Sequence, residues 1–529
     1  MVSAISKTPF DSRFWYGFPT ASITGTPSTF YNIQVNEYGE IGTALSRSSS
    51  QPIDDTRSDR VGAISYKSSS AQITTEFKQY NVQRLIAAAL FANLAYNAST
   101  NPIDGSTPRP ITGMSTSGFS ASGGGLTGQA IAKDNFRVDD LIQISGAPTP
   151  SNNVKTRITA LTSDTGITVN STLVNDSVTS GQVTLEVVGH QWPSGNLSLT
   201  YASGVLTLTN GQTISSTNLG FDVLGFERGQ WVFIGGDGST ENFGTSNQGF
   251  ARIKTISAAS LVFDQSTWTP TTSSGSGKGI RLWYGNFVKN RTGSGIVKQY
   301  MALLLKLGTD DNGSMSKLIL GSVVKGQKIK FPKPAEDSNI TVETSWDATS
   351  SQDRTGTDGL PSSTYIAAED DQMYCTSAAD LKSFKLYKRS TTTTNPSTTN
   401  AYIITSDIDI KNNTETLPAL GYDEGYDVKY GALEVTGTAT VAFLRNEQIK
   451  DINSDSKFGI YGRWGRNYNG VNQGFIMDMP FLDLKTKGVT PKKKDDLMLD
   501  IDFKAVRDEA LNKVISFDFF NGLPDVAIS

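Results

Sequence analysis

The sequence predicts a mainly β protein, on three observations. Apolar and polar residues alternate with a period of two in many short runs, turn-forming residues separate those runs, and only one stretch has clear helical periodicity. Charged residues make up 19% of the 529, below the usual ~25%, and Gly numbers 50. Ser, Thr, Asn and Gly carry the polarity instead, as expected of strands joined by tight turns. A hydrophobic fraction of 37% suffices for a core.

The same composition excludes several functions. A net charge of −4 offers no basic field to grip nucleic acid. The densest basic run, Lys492-Lys493-Lys494, is followed at once by Asp495 and Asp496 and reads as a solvated loop. Cys375 is the single cysteine, so no intrachain disulfide can form. Met1 to Phe10 lacks an apolar signal region, and no apolar run nears the ~20 residues of a membrane span. The expectation is a soluble chain, made in the cytoplasm, with no membrane span.

From the start, Gly62 to Lys67 and Ala71 to Phe77 read as strands with partial alternation. Val82, Leu85, Ile86, Ala89 and Leu90 fall on one helical stripe, with Asn81 as the N-cap, which predicts a buried amphipathic face over residues 81–94. Thr100 to Gly125, ending in Ser-Gly-Gly-Gly, reads as a linker. Next comes an internal repeat. Phe136–Gly146, Arg157–Thr162 and Ile167–Val169 are echoed by Phe226–Gly236, Arg252–Ser257 and Leu261–Phe263, with Asn-bearing loops (Asn152, Asn153; Asn242, Asn247) between the first and second runs. Each copy predicts a small β-barrel or β-sandwich module. Thr269 to Gly279 reads as a second flexible stretch, and Ser390 to Asn400 as an exposed loop. The apolar run Tyr300–Leu307 is strand or helix, with the flanking Gly308 and Asp310–Gly313 turn favouring strand. Finally, the Gly-Ala opening and Phe-ended strand of residues 61–77 are echoed at 431–443, which fits either a duplicated domain or chance similarity between strands.

No chemistry emerges. His190 is the only histidine and lies far from Cys375 in sequence, so neither a catalytic triad nor a zinc site is expected. His190 reads as structural and Cys375 as a buried small residue. Gly275-Ser-Gly-Lys-Gly279 lacks the Ser or Thr that comes after Lys in a phosphate loop. The acidic clusters Glu369-Asp370-Asp371, Asp423-Glu424 with Asp427, and Asp500 with Asp502 lack calcium-loop spacing and read as turns. No catalytic, metal or cofactor site is expected, and the chain is read as a structural protein rather than an enzyme.

Both ends carry a resemblance. Leu45-Ser46-Arg47, Gly62-Ala63-Ile64 and the helix over Tyr80–Leu94 resemble the opening of the major tail tube protein family of long-tailed bacteriophages. Val435 to Thr438, Asn472 to Pro480, Lys492 to Asp496, Leu499 to Phe503, Arg507-Asp508 and Val514 to Phe517 resemble that family's closing region. The resemblance covers about residues 40–95 and 280–525 and implies a tail-tube β-sandwich or barrel with one amphipathic helix. It also implies a virion protein that assembles with itself into stacked rings, six-fold favoured and three-fold possible. Other tail proteins would meet the tube ends, and phage DNA would pass through the lumen without specific binding. On that basis 1–110 is the first part of the tube domain, 126–180 and 181–275 are inserted modules projecting outward, and 280–529 is the second part, with a possible second tube domain.

Alternation then offers two candidate lumen faces on residues 433–443. Leu433, Val435, Gly437, Ala439, Val441 and Phe443 form the apolar set, whereas Glu434, Thr436, Thr438 and Thr440 belong to the polar one, which suits water and passing DNA. Two rival functions are an adhesin binding glycans through Trp192, Trp231 and Trp268, and a polysaccharide-degrading tail enzyme built on paired carboxylates.

Overall fold

The computed structural model describes residues 12–19, 22–48, 63–95, 97, 111–121, 136–163, 166–179, 182–215, 219–310, 313–334, 339–367, 375–389, 403–442, 450, 457–489 and 498–529. The protein is mainly β, as the alternation predicts. The chain opens with β1 (Arg13–Gly17), β2 (Thr29–Ile33), β3 (Glu37–Tyr38), β4 (Gly42–Ser48), β5 (Ala63–Glu76) and α1 (Gln79–Ala89). It continues with β6 (Ile111–Ser115), β7 (Gly118–Ala121), β8 (Asp140–Ser145), β9 (Lys155–Ser163), β10 (Gly166–Val169) and β11 (Thr184–Gln191). Next are β12 (Leu197–Ala202), β13 (Val205–Asn210), β14 (Trp231–Ile234), β15 (Gly249–Ile256), β16 (Ser260–Ser266) and β17 (Arg281–Trp283). After them come β18 (Asn286–Lys289), β19 (Met301–Asp310), β20 (Gly313–Phe331), β21 (Thr341–Ala348), β22 (Ser350–Arg354), β23 (Thr364–Ile366) and β24 (Leu381–Lys388). The last are β25 (Ile403–Lys411), β26 (Glu415–Pro418), β27 (Gly425–Lys429), β28 (Glu434–Ala442), β29 (Phe458–Tyr468), β30 (Val471–Val489), β31 (Met498–Ala505) and β32 (Ser516–Asn521).

The chain forms two compact units, one of residues 1–92, 293–375 and 406–437, the other of 93–292, 376–405 and 438–529. In unit 1 the spine is β20, 19 residues long. Its first half pairs with β19 and β22, and its second half with β21 and β25. Outward from these, β1 pairs with β19 and β5 with β21.

Helix α1 covers this sheet. All five residues of the predicted stripe, Val82, Leu85, Ile86, Ala89 and Leu90, are buried, and Leu85 and Ala89 pack with Ile73, Met301, Leu303, Val324 and Trp346. The helix ends differ from the prediction. It starts two residues before Asn81, behind Lys78, which gives no side-chain cap. It stops at Ala89 rather than residue 94, because Phe91 turns left-handed (φ 47°). Its N–H donates to Ala88 O and that of Ala92 to Ala87 O, the paired bonds of a Schellman cap. Asn412 adds a side-chain bond to Ala89 O at 2.9 Å.

Unit 2 repeats the plan of unit 1. Its spine is β30, also 19 residues, paired through its first half with β29 and β32 and through its second with β31. Then β24 pairs with β29 as β1 does with β19, and β28 pairs with β31 as β5 does with β21. The two hairpins close at matching residues, Asp310↔Gly313 and Tyr468↔Val471. The chain order β1, β5, β19, β20, β21, β22 is thus repeated as β24, β28, β29, β30, β31, β32. The sequence echo between 61–77 and 431–443 falls on β5 and β28, which hold the same position. Thr74 lies opposite Glu343, and its counterpart Thr440 donates its hydroxyl to Asp500 at 2.9 Å.

The middle modules prove larger than the three-strand repeat. Their twelve strands form one sheet, ordered β12-β13-β16-β15-β14-β17-β11-β8-β9-β10-β7-β6, the same sequence of neighbours from either end. Register matches copy for copy. Leu141↔Arg157 becomes Trp231↔Arg252, and Val169↔Ile158 becomes Phe263↔Ile253. Both skip one residue at the same bulge, Thr159 and Lys254. Asn152 clamps the N–H and C=O of Val174, and Asn247 clamps those of Thr271. Each clamp presents the next segment to an outer strand, through the bridges Met114↔Asp176 and Leu199↔Ser273.

These pairings run across several of the expected boundaries. Residues 111–121, read as linker, are the β6–β7 hairpin, because Thr, Ser and Gly serve strands here as readily as loops. A division at 180/181 would part β11 from β8, its partner. Within Thr269–Gly279, Thr271 is held by the Asn247 clamp and Ser273 bridges to Leu199. The modules also pack against the C-terminal strands of unit 2. Leu141, Val188, Trp231, Phe233, Phe250 and Trp283 share one buried cluster with Tyr387, Tyr461, Ile476, Phe520, Leu523 and Ala527.

A buried charge network runs through that junction. Arg252 donates to both oxygens of Asp478 at 3.0 Å, to Asp264 at 2.9 Å and to the Tyr387 hydroxyl at 3.2 Å. Lys513 also donates to Asp478, and Asp478 and Lys513 are fully buried. Burial alone would raise the Asp478 carboxyl, but the two cations hold it below its usual range. Nearby, Lys289 donates to Arg228 O and sits 3.6 Å from Glu227, and burial pushes its ammonium down to about 8.

This packing has three measurable outcomes. Leu85→Asp puts an unpaired charge under α1 and should cost unit 1 about 3–5 kcal/mol in chemical denaturation; wild-type stability would misplace the stripe. Arg252→Met should cost unit 2 about 3–5 kcal/mol by stranding Asp478, whereas Arg157→Met, at the matching half-exposed pair with Asp139, should cost under about 1 kcal/mol. Because Lys289 binds its proton less tightly folded than unfolded, stability should rise with pH from about 8 to about 10.5. Denaturation of Lys289→Met should show that rise reduced, by on the order of 2 kcal/mol.

Candidate functional site

The predicted lumen residues lie on β28, where alternation sorts them. Val435, Ala439 and Val441 are buried, whereas Glu434, Thr436 and Thr440 are half-buried and Thr438 is exposed. Phe443, in the apolar set, lies outside the described residues. The polar side continues onto β31 with Asp500, Asp502 and Lys504, and onto β30, where Lys485 lies opposite Asp502 and Asp483 opposite Lys504. Thr438, Thr440, Asp483, Lys485, Asp500, Asp502 and Lys504 make one polar sheet face in unit 2, backed by Leu499, Ile501 and Phe503.

Unit 1 has the matching face, which the sequence reading left unassigned. Four strands contribute rows set by their registers. Thr74, Glu343, Lys328 and Asp409 form one row, and Glu76, Thr341, Lys330 and Asp407 the next. Gln72 donates to Glu343 at 2.7 Å, Lys330 pairs with Glu343 at 3.2 Å, and Lys328 with Asp407 at 3.1 Å. The Asp407 bond raises the Lys328 ammonium. Beneath, Ile73, Val342, Trp346, Ile329, Ile408 and Ile410 are buried. The signal was present as near-alternation in Thr341–Ala348, broken only by Thr344, and as strict alternation in Asp407–Ile410, unread because no chemistry marked it.

Such a face has the chemistry of a wetted wall. Its lysines neutralise only part of the acidic charge, so no basic track runs along it, and the ion pairs hold the long side chains down. Among the described residues, no three His, Cys, Asp or Glu side chains could hold a metal ion. The other candidate residues, where described, have defined surroundings. His190 shares a 2.9 Å bond with buried Asp140 and packs edge-on against Trp192. Cys375 is buried, its N–H donating to Phe77 O. Asp423 pairs with Lys67, and Asp427 accepts from Lys298 and Tyr300. Glu369-Asp370-Asp371 and Lys492–Asp496 lie outside the described residues. Trp192, Trp231 and Trp268, the aromatic platform a glycan reader would need, are all buried. Among the described residues, no helix is long and apolar enough to cross a membrane. No protein-family model matches the chain, and no curated protein matches it significantly.

Proposed function

We propose that this chain is a structural virion protein that assembles into stacked rings, forming a hollow tail tube that conducts DNA from capsid to host cell. The observation that carries the reading is the tandem β-domain, each copy with a polar sheet face over a buried apolar one. A ring built of such domains turns the polar faces onto a shared channel and leaves the apolar faces inside the wall. Glu434, Thr436, Thr438 and Thr440 then line the channel together with Glu343, Asp407 and Asp409. A wall of this kind wets the lumen and repels phosphate, so DNA slides without being held. Because each chain carries two copies of the domain, three chains supply six positions. The duplication thus favours three-fold rings over the six chains first expected.

Electron microscopy of the purified full-length protein tests the reading. Hollow rings or tubes are expected, and a protein that stays monomeric at high concentration and across salt conditions would refute it. Glu434→Lys should leave tubes intact while adding a basic ring to the channel. In a mobility-shift assay, tubes of the variant should retain DNA at low salt and release it steeply as salt rises, whereas wild-type tubes should retain none.

A further inference from the structure

The same sheet face is covered by different means in the two copies of the β-domain. Leu318 of β20 lies opposite Leu304 and Gln352, and its counterpart Ile476 of β30 lies opposite Arg463 and Asp518. The next residues on that face, Leu320 and Asp478, lie opposite Ser350 and Ser516. In unit 1 the face is apolar, with Phe30, Ala302, Leu304, Leu318 and Leu320 in one buried cluster. A short strap, residues 355–366, closes it. Leu360 and Tyr365 of the strap pack on the cluster, and Tyr365 stacks on Phe30 at 5.7 Å and meets Trp15 edge-on at 5.1 Å. The strap is held by the pairing of β23 with β2 and by the Ser316 hydroxyl, which donates to Gly359 O.

In unit 2 the counterpart face is closed by the modules. Trp231 packs on Tyr461 at 4.6 Å and Phe250 on Phe520 at 5.4 Å, while Arg463, the counterpart of Leu304, lies over the Phe250 ring at 5.1 Å. Where the first copy has Leu320 and Gln352, this face has Asp478 and Asp518. Both accept from the second module, Asp478 from Arg252 at 3.0 Å and Asp518 from the Trp231 N–H at 3.3 Å. The inserted chain also leaves and returns at one point. The Asn97 N–H donates to Asn286 Oδ1 at 2.8 Å, Asn97 Nδ2 donates to Tyr284 O at 2.9 Å, and Ala95 bridges Phe287. The backbone path of the β-domain is therefore closed at Asn97 without the modules, and what they add is the cover.

We infer that the modules serve as the outer layer of the second β-domain, in the place that the strap takes in the first, and that they and the sheet beneath them fold as one cooperative unit. A decoration joined only through its ends could open or be lost alone. These modules could not, because their removal would bare Tyr387, Tyr461, Ile476 and Phe520 together and take Arg252 from the buried Asp478. The inference stands apart from the ring reading, since it concerns the single chain.

Native-state hydrogen exchange of the full-length protein in rising denaturant tests it. Amides of β14, β15 and β17 should lose protection at the same denaturant concentration as those of β29, β30 and β32, and Arg252→Met should shift both groups down together. Module amides that open at lower denaturant while β29, β30 and β32 stay protected would overturn the inference, as would an Arg252→Met shift confined to the modules. A second variant replaces residues 98–283 by a short Gly-Ser bridge between Asn97 and Tyr284, which already meet. Its β29, β30 and β32 amides should lose protection and the chain should bind a hydrophobic dye, while β19, β20 and β21 of unit 1 keep their protection. A shortened chain with wild-type protection in β29, β30 and β32 would show that the sheet needs no such cover, and the inference would fall.

Discussion

A strand has two hydrogen-bonding edges, and the need to satisfy both organises this protein around β20 and β30. Neither 19-residue spine keeps one set of neighbours along its whole length. Each spine is interrupted near its middle and takes different partners on either side. The interruption is made differently in the two. In β20 it falls at Gly321, left-handed at φ 60°, where an added Cβ would meet the Thr349 hydroxyl at 2.2 Å. In β30 it falls at Pro480, which has no N–H to give the ladder, between the pairs Ile460↔Met479 and Phe458↔Leu482. One geometric requirement is met by two unrelated residues, so the likeness of the units is hard to see in sequence and plain in strand pairing.

The two faces of each sheet come from the same pairing. Once registers place Thr74, Glu343, Lys328 and Asp409 in one row, their neighbours must point to the other side, and those neighbours are Ile73, Val342, Ile329 and Ile408. Burial of the second set anchors the sheet at roughly 25 cal/mol per Å² of apolar surface. The polar set is left where water can reach it, and its ion pairs limit how far its long side chains wander. In this protein the candidate working surface is the remainder left by the core.

Much of this was legible beforehand. The alternation gave the class, the i, i+3, i+4 stripe gave the buried face of α1, and alternation along β28 put Val435, Ala439 and Val441 on its buried side. What escaped has physical reasons. The helix stops at Ala89 because Phe91, just past its cap, adopts a left-handed turn, a position where glycine is the usual signal. The repeat was found where strands are apolar on both faces and missed at β6–β7, where Thr, Ser and Gly make strand and loop look alike. The buried network beneath the second module joins Arg252, Asp478 and Lys513, which come together from distant parts of the sequence, and no local pattern announces such a meeting.

The duplicated modules show how one scaffold can come to carry unequal constraints. The backbone of both is the same down to the bulge, the left-handed turn at Asp139 or Gly229 and the asparagine clamp. Yet Arg157 meets Asp139 beside water, whereas Arg252 sits in the interior among three polar partners drawn from two regions. The first module is therefore free to drift at that position. The second is locked to the sheet it rests on, since a change in Arg252 demands a simultaneous change in Asp478. Evolutionary variation should accordingly accumulate in one copy and be purged from the other, so that the pair grows less alike in sequence while remaining superimposable in backbone. The older copy of a gene segment and its duplicate then cease to be interchangeable parts, although nothing in their strand order records the difference.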